Sequence, residues 1–464
     1  MTEQAPCGIT AGGFLICSVP YAHWSQRNDR IPEQGGLELL RFLLYCSIII
    51  MVYYPLRGGW TCSFRGCCGS RVKNAGTGTP RFRILQGEKA KRTMDRDVMN
   101  SPEYAAWKEK ARREHLPMFG AFELTARCNL DCRMCYVHKT DPAVLKEELT
   151  TAEWKRIFDE AIAAGMKHAL LTGGECLLRG DFEELYLYLY SRGIIMDVNT
   201  NGLLITEEKA DFFAQHPPRQ LQISLYGASD NGYERVTGHR EYARVISTLD
   251  LLKSRGIRPR IALTVSRYLA DDFISLLRLV KSRGLAYTAT FDLSESREDR
   301  KYEDYALRTE EMIGLRQVSR VLLGKGLCTP RCPVPAPGGP GEPLHGMPCN
   351  AGNISFSVLW NGKMALCLTF PEICTDLRTQ SFDACWRFIR EKADAAVQSA
   401  DCVSCAYRER CPHCPDHRYE DLYSGKCKAS QCRETVACYE AGLFSLPEDE
   451  KKQGAAPEGA DCVL

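Results

Sequence analysis

The chain has 464 residues, enough for more than one domain with its own core. Its 60 Lys and Arg against 58 Asp and Glu exclude a global electrostatic case for nucleic acid or an anionic membrane. With 44% hydrophobic and 25% charged residues the composition is ordinary for a globular protein, and the anomaly is the 24 cysteines.

A chain of this length does not need disulfides to compensate for a small core, so the cysteines point first to metal. A secreted disulfide protein would want a signal peptide. The opening "MTEQAPCGITAGGF" places no basic stretch ahead of an apolar core.

Residues 1–93 carry little periodicity and hold 12 Lys and Arg against five Asp and Glu. The apolar run Phe42 to Leu56 is shorter than the about 20 residues of a membrane helix, contains Pro55 and lies between Arg41 and Arg57. It reads as an anchor or as a poorly ordered or spurious segment, and a membrane is not an expected partner. The functional chain is expected to start near Met94 or Met99.

A strand–helix alternation follows. "FGAFELT" (Phe119 to Thr125) reads as the first strand, with a cysteine loop after it. Thr150 and Glu153 form a capping box for a helix that Gly165 ends. "HALLT" (His168 to Thr172) is a buried strand, and Asp181 and Glu184 open a helix closed at Gly193. "IIMDVNT" (Ile194 to Thr200) is the third strand, and a helix follows Thr206. "LQISLYG" (Leu221 to Gly227), "RIALTVS" (Arg260 to Ser266) and "AYTATFDL" (Ala286 to Leu293) complete the strands, with helices ending at Gly256 and Gly284 between them. Such units imply parallel strands with right-handed crossovers. The expected fold is α/β, a partial (β/α)6 TIM-like barrel over residues 94–325, followed by a small Cys-rich C-terminal domain over residues 326–440 and a tail over 441–464. The active site is expected at the carboxyl ends of the strands, where the cysteine loop lies.

That loop reads "CNLDCRMCY", with Cys128, Cys132 and Cys135 spaced C-x3-C-x2-C. Three thiolates on one loop can converge on a single cluster, and a 4Fe–4S cubane held by three would keep one iron open. A zinc knuckle with a distant fourth ligand such as His138 is the alternative.

This loop resembles that of the radical S-adenosylmethionine (SAM) family. The resemblance implies a 4Fe–4S cluster on Cys128, Cys132 and Cys135 whose open iron takes the amino and carboxylate groups of SAM. One electron would then cleave SAM, giving a 5′-deoxyadenosyl radical that abstracts hydrogen from substrate. Met134 stands where the family usually has an aromatic residue against the adenine. "TGGEC" ends the second strand, where the family binds the SAM amino group. Gly173 and Gly174 would let backbone approach the ligand, and Glu175 would accept from the ammonium. Cys176 stands where a proline is frequent. By resemblance Ser224 contacts the ribose or carboxylate and Arg235 pairs with the carboxylate, unless Arg235 is a surface salt bridge. Asn201 either lines the pocket or makes the turn.

Beyond residue 325 a Pro/Gly-rich linker leads to Cys349, then to a hairpin turning at Asn361-Gly362 with Cys367 on it, and a helix. "CVSCAYRERCPHC" follows, with Cys402, Cys405, Cys411 and Cys414, and Cys432 comes later. A zinc ribbon is the plainer reading. The series resembles the SPASM domain, which carries two auxiliary 4Fe–4S clusters. By that resemblance Cys402, Cys405, Cys411 and Cys432 hold the distal cluster, and Cys349, Cys367 and Cys414 the proximal one. Its fourth ligand is Cys332 or Cys328, or the position is open. Two residues, Pro412 and His413, separate Cys411 from Cys414 where the family has three, so Cys427 and Cys438 are spare candidates.

Relatives with SPASM domains commonly modify peptides, by thioether formation or carbon–carbon crosslinking among other chemistries. Those that make formylglycine carry an aspartate just after the second SPASM cysteine. Leu368 follows Cys367 here, which argues against that reaction. Asp292, ending the sixth strand, is a candidate base or an acidic turn residue. Residues 1–93 lack the pattern of a leader-gripping module, which keeps a small-molecule substrate in cofactor biosynthesis as the alternative. A non-catalytic iron–sulfur electron carrier is the reading of another class; it explains the cysteines but not the Gly-Gly-Glu and Ser224. The resemblance implies a cytoplasmic enzyme with a flavodoxin or ferredoxin as electron donor, and the balanced charge implies no nucleic-acid partner.

Overall fold

The computed structural model describes residues 99–137, 146–297, 300–323, 344–403, 405–411, 414 and 419–446, together with two short paired strands, β1 (Gly8–Ile9) and β2 (Leu15–Ile16). The chain divides into two compact units, Met1–Arg81 and Phe82–Leu464. The expectations for the start of the functional chain, for the 42–56 run, for Cys328 and Cys332, for His138, for Pro412 and His413 and for most of the 441–464 tail lie outside the described residues.

In the second unit, helix α1 (Pro102–Glu114) leads into strand β3 (Phe119–Glu123). Five more strands follow, each after helical structure: β4 (His168–Thr172), β5 (Ile195–Thr200), β6 (Gln220–Ser224), β7 (Arg260–Thr264) and β8 (Ala286–Thr290). Each pairs in parallel with the one before it. This is the partial TIM-like barrel that the alternation predicts.

The helices form for local reasons. In α2 (Thr151–Ala164) the Thr150 hydroxyl accepts from the Glu153 N–H while the Glu153 carboxylate accepts from the Thr150 N–H. Trp154, Ile157, Phe158 and Ala161 recur on one face and are fully buried. Phe122 on β3 meets Phe158 edge-on at 5.0 Å, and Trp154 stacks on Phe158 at 5.7 Å. Helix α3 (Phe182–Tyr190) starts differently from the expectation. Asp181 makes no capping hydrogen bond, because its carboxylate accepts from the Arg179 guanidinium at 2.8 and 2.7 Å and from the Thr151 hydroxyl at 2.6 Å. The remaining crossovers are α4 (Glu207–Gln215), α5 (Asp230–Thr237), α6 (Tyr242–Ser254) and α7 (Ala270–Ser282). Then come α8 (Tyr302–Tyr305) and α9 (Thr309–Leu323).

The C-terminal hairpin does not stand apart. After the short β9 (Leu344–His345), β10 (Ser355–Val358) lies parallel to β3, with Ser355 opposite Phe119. Strands β11 (Lys363–Ala365) and β12 (Cys374–Asp376) add antiparallel, giving one nine-stranded sheet that runs from β12 to β8. The expected turn is present, with Gly362 at a φ of 85°. Beyond it lie α10 (Phe382–Asp394), β13 (Val397–Gln398) paired with β9, α11 (Ala400–Val403), the hairpin β14 (Tyr419–Asp421) and β15 (Lys426–Cys427), and α12 (Ala429–Glu440). Among the described residues no helix is long and apolar enough to cross a membrane.

Candidate active site

The cysteine loop leaves β3 at the carboxyl end of the strands. The Gly174 N–H donates to the Thr125 carbonyl at 2.8 Å and the Glu175 N–H to the Arg127 carbonyl at 2.7 Å. The loop thus continues alongside the segment after β4. A Cβ on Gly174 would lie 2.3 Å from the Arg127 carbonyl oxygen, and one on Gly173 2.5 Å from that of Thr125. The glycines therefore serve first to let these two backbones meet, where the sequence pointed to a ligand.

The loop is pinned on its other side as well. The Asp131 and Arg133 N–H groups donate to the Thr237 and Val236 carbonyls of α5. Arg300 donates to the Cys132 carbonyl and, at 2.6 Å, to the Asp131 carboxylate, while the Ser296 hydroxyl donates to the Cys135 carbonyl. Cys132 and Met134 are buried, and Cys128 and Cys135 are half-buried.

Glu175 is fully buried. Its Oε1 accepts from the Leu177 N–H at 3.0 Å and the Thr200 hydroxyl at 2.8 Å, and its Oε2 from the Asn201 N–H at 2.7 Å. Burial pushes its pKa up against those donors. A carboxylate accepts about four hydrogen bonds, so Oε2 keeps room for another donor. Asn201 does both things open to it. Its Oδ1 closes a turn by accepting from the Leu203 N–H, while its Nδ2 donates to Asn129 Oδ1 at 2.7 Å and approaches Cys128 Sγ at 3.9 Å. The Tyr226 hydroxyl stands close to both Ser224 and the Cys132 thiol.

Arg235 is occupied. Its Nε donates to the Tyr268 carbonyl and its Nη2 to the Asp272 carboxylate at 3.2 Å. Asp292 lies with Arg316, Glu434 and Cys438, between the end of β8 and helices α9 and α12. Burial, then the Asp292 charge, raises Glu434 to about 7 against Arg316. Cys438, a spare candidate, belongs to this group.

Every described cysteine is a free thiol. In the C-terminal segment Cys402 is buried and its Sγ lies 3.3 Å from that of Cys427. Cys411 Sγ contacts the Thr435 hydroxyl at 3.2 Å, which brings it against α12, the helix carrying the exposed Cys432. Cys349, Cys367, Cys405 and Cys414 are half-buried. Thr200, Tyr226, Tyr136, Arg297 and Arg300 escaped sequence reasoning. Of these only Thr200 carries a signal, as the polar residue that closes a buried strand.

The donor set fits a cationic cluster. Burial pushes the Cys128 thiol up to about 12, with Glu175 and Cys135 adding to the shift, and pushes Cys132 well up, with Cys135 and Cys128 adding. Three neighbouring thiolates in this pocket repel one another, and iron is what would hold them deprotonated. Among the described residues, no set of three or more His, Cys, Asp or Glu side chains already closes around an ion.

Residues 122–280 match the model of the Radical SAM superfamily. The chain belongs to the radical SAM superfamily. Its cysteine-rich C-terminal part makes it a SPASM-type member, and its cofactors are 4Fe–4S clusters and SAM. It is 27% identical over 324 residues to the AdoMet-dependent heme synthase of Methanosarcina barkeri, covering 65% of this chain and 92% of that one. It is 26% identical over 204 residues to the sporulation killing factor maturation protein SkfB of Bacillus subtilis, covering 44% of this chain and 49% of that one. The chain thus spans about half the length of that maturation protein. In fold it resembles Streptococcus suis SuiB, with a TM-score of 0.54 at 15% identity over 71% of this chain and 81% of that one.

Proposed function

We propose that this radical SAM enzyme abstracts hydrogen from a peptide or protein substrate held over the strand-end rim, in a post-translational modification such as thioether or carbon–carbon crosslinking. The observation that carries the SAM site is the buried Glu175 carboxylate, bonded to Asn201 beside Cys128. Cys128, Cys132 and Cys135 would hold the SAM cluster. Glu175 would orient the ammonium of SAM, with Gly173, Gly174, Asn201, Ser224 and Met134 around the rest of it, while Arg235 is held by the Tyr268 carbonyl and by Asp272 as a salt bridge. Reduction of the bound cluster and SAM supplies the 5′-deoxyadenosyl radical.

Cys402, Cys405, Cys411 and Cys432 would hold the distal auxiliary cluster, and Cys349, Cys367 and Cys414 the proximal one. Asp292 is the candidate base. A flavodoxin or ferredoxin would deliver electrons in the cytoplasm, and nucleic acid is not a partner. SkfB is a maturation protein, and SuiB has a structure bound to the precursor peptide SuiA, which favours the peptide reading. The heme synthase match, which spans 92% of that protein, favours a second reading: the same radical chemistry on a small molecule in cofactor biosynthesis.

The test is anaerobic reconstitution with iron and sulfide, then SAM and dithionite. Formation of 5′-deoxyadenosine is expected, and its absence at full iron occupancy would instead favour an electron carrier. Deuterium from a labelled peptide pool, but not from tetrapyrroles, should then enter the product.

A further inference from the structure

Arg297 joins three segments that the fold brings together from far apart in the chain. Its Nη1 donates to both oxygens of Glu123, at 3.0 and 2.9 Å. Glu123 is the last residue of β3 and is fully buried. The Arg297 Nη2 donates to the carbonyl of Leu368, the residue after Cys367. Its own N–H donates to the carbonyl of Tyr136, the residue after Cys135, and the guanidinium lies 5.4 Å from the centre of the Tyr136 ring. The Nε is buried without a hydrogen-bond partner. The guanidinium is thus placed by the segments it ties rather than by its own full satisfaction. The charges of Cys135 and Cys367 both act on the Tyr136 hydroxyl, so Tyr136 stands near both thiols.

We propose that Arg297 is a positioning residue that locks the Cys367 segment to the SAM-cluster loop, with Glu123 as its buried counter-ion, and so fixes the proximal auxiliary cluster relative to the site of radical formation. This rests on the reading of Cys367 as a cluster ligand. The chemistry suits arginine. A planar fork reaches two partners on different segments with separate nitrogens, whereas a lysine ammonium offers one centre. Glu123 neutralises the guanidinium, so the part played by Arg297 is to hold the segments in place rather than to add net charge beside a cluster.

The test uses the reconstituted full chain with Arg297→Gln, Arg297→Lys and Cys367→Ala. Iron per chain and, by EPR, the magnetic coupling between clusters are the readouts. Arg297→Gln is expected to keep the SAM-cluster signal and its response to SAM. Its proximal cluster should bind iron about 10–100-fold more weakly or lose its coupling to the SAM cluster. Arg297→Lys should recover iron binding better than the coupling. A lowered melting temperature with unchanged iron affinity and coupling would reduce Arg297 to a structural ion pair and overturn the inference. Cys367→Ala separates the two claims. If it retains all iron, the ligand reading fails and this one with it; if it loses iron while Arg297→Gln is normal, this inference fails alone. Should Arg297→Gln not fold because Glu123 is left charged, the Glu123→Gln/Arg297→Gln pair removes both charges and carries the same readouts.

Discussion

The Asn201 N–H donates to Glu175 Oε2 at 2.7 Å while the Asn201 side chain reaches toward Cys128 at 3.9 Å. One residue at the end of β5 therefore connects the carboxylate after β4 to the first cysteine after β3. Glu175→Gln would keep the shape and replace one acceptor oxygen with a donor. A hydrogen bond to a charged group contributes about 1.5–3 kcal/mol, so SAM affinity should fall about tenfold or more. Equilibrium dialysis should show this with iron content unchanged. Unaltered affinity would make Glu175 a purely structural carboxylate.

Gly174→Ala should damage the cysteine loop. The new Cβ meets backbone, the Arg127 carbonyl at 2.3 Å, which cannot rotate away. A cost of about 1–3 kcal/mol is expected from overpacking, together with loss of iron from the SAM cluster. Gly314→Ala on α9 is the control. It meets nothing within 4 Å and sits inside a helix, so it should stabilise by about 0.4–1 kcal/mol. Denaturant titration of both variants checks the pair.

The opposite end of the strands holds a buried ionic network. Asp197 accepts from His168 Nε2 at 2.9 Å and from Arg219 Nε at 2.8 Å, and Tyr104 reaches His168 Nδ1 at 3.3 Å. Burial would raise the Asp197 pKa, but His168 and Arg219 outweigh it and hold the carboxyl below its usual range. A depressed folded pKa means stability that is present above the unfolded value of about 3.9 and lost as pH falls through the folded one. Asp197→Asn strands Arg219 and should cost about 3–5 kcal/mol at pH 7. The gap between variant and parent should narrow as pH drops below about 4. A gap independent of pH would show that packing, not charge, is at stake there.

Replacing Cys128, Cys132 and Cys135 together with Ala should remove one cluster's iron and leave auxiliary iron behind. Total loss would contradict separate clusters. In the distal set, Cys432→Ala should lose iron and Cys427→Ala should keep it. The Cys402 and Cys427 sulfurs, 3.3 Å apart, are closer than the about 3.8 Å edge implied by 2.3 Å metal–sulfur bonds around even one tetrahedral ion. The reverse iron counts would make Cys427 the ligand.

The six strands were legible because apolar runs alternate with amphipathic helices, several of them closed by a glycine. Their ends were overshot at Ser266 and Leu293, since Ser266, Phe291 and Leu293 stay buried after the strands end. Burial and ladder pairing end at different places, and only burial leaves a mark in composition. The hairpin at Asn361-Gly362 announced itself, but its pairing with β3 did not, because pairing across such a separation has no local signature. For the same reason Arg297 and Arg300, in an unpatterned polar stretch, gave no sign of the cysteine loop they hold.

The pairing of β10 with β3 also orders events in time. During synthesis the outer edge of β3, the strand that presents the cysteine loop, has no neighbour until Ser355 to Val358 emerge to cover it. An open edge of this kind invites association with other chains, and closing it pairs residues far apart in the chain, a separation that slows folding. The nascent chain therefore carries an open sheet edge beside its cysteine loop until this one strand arrives.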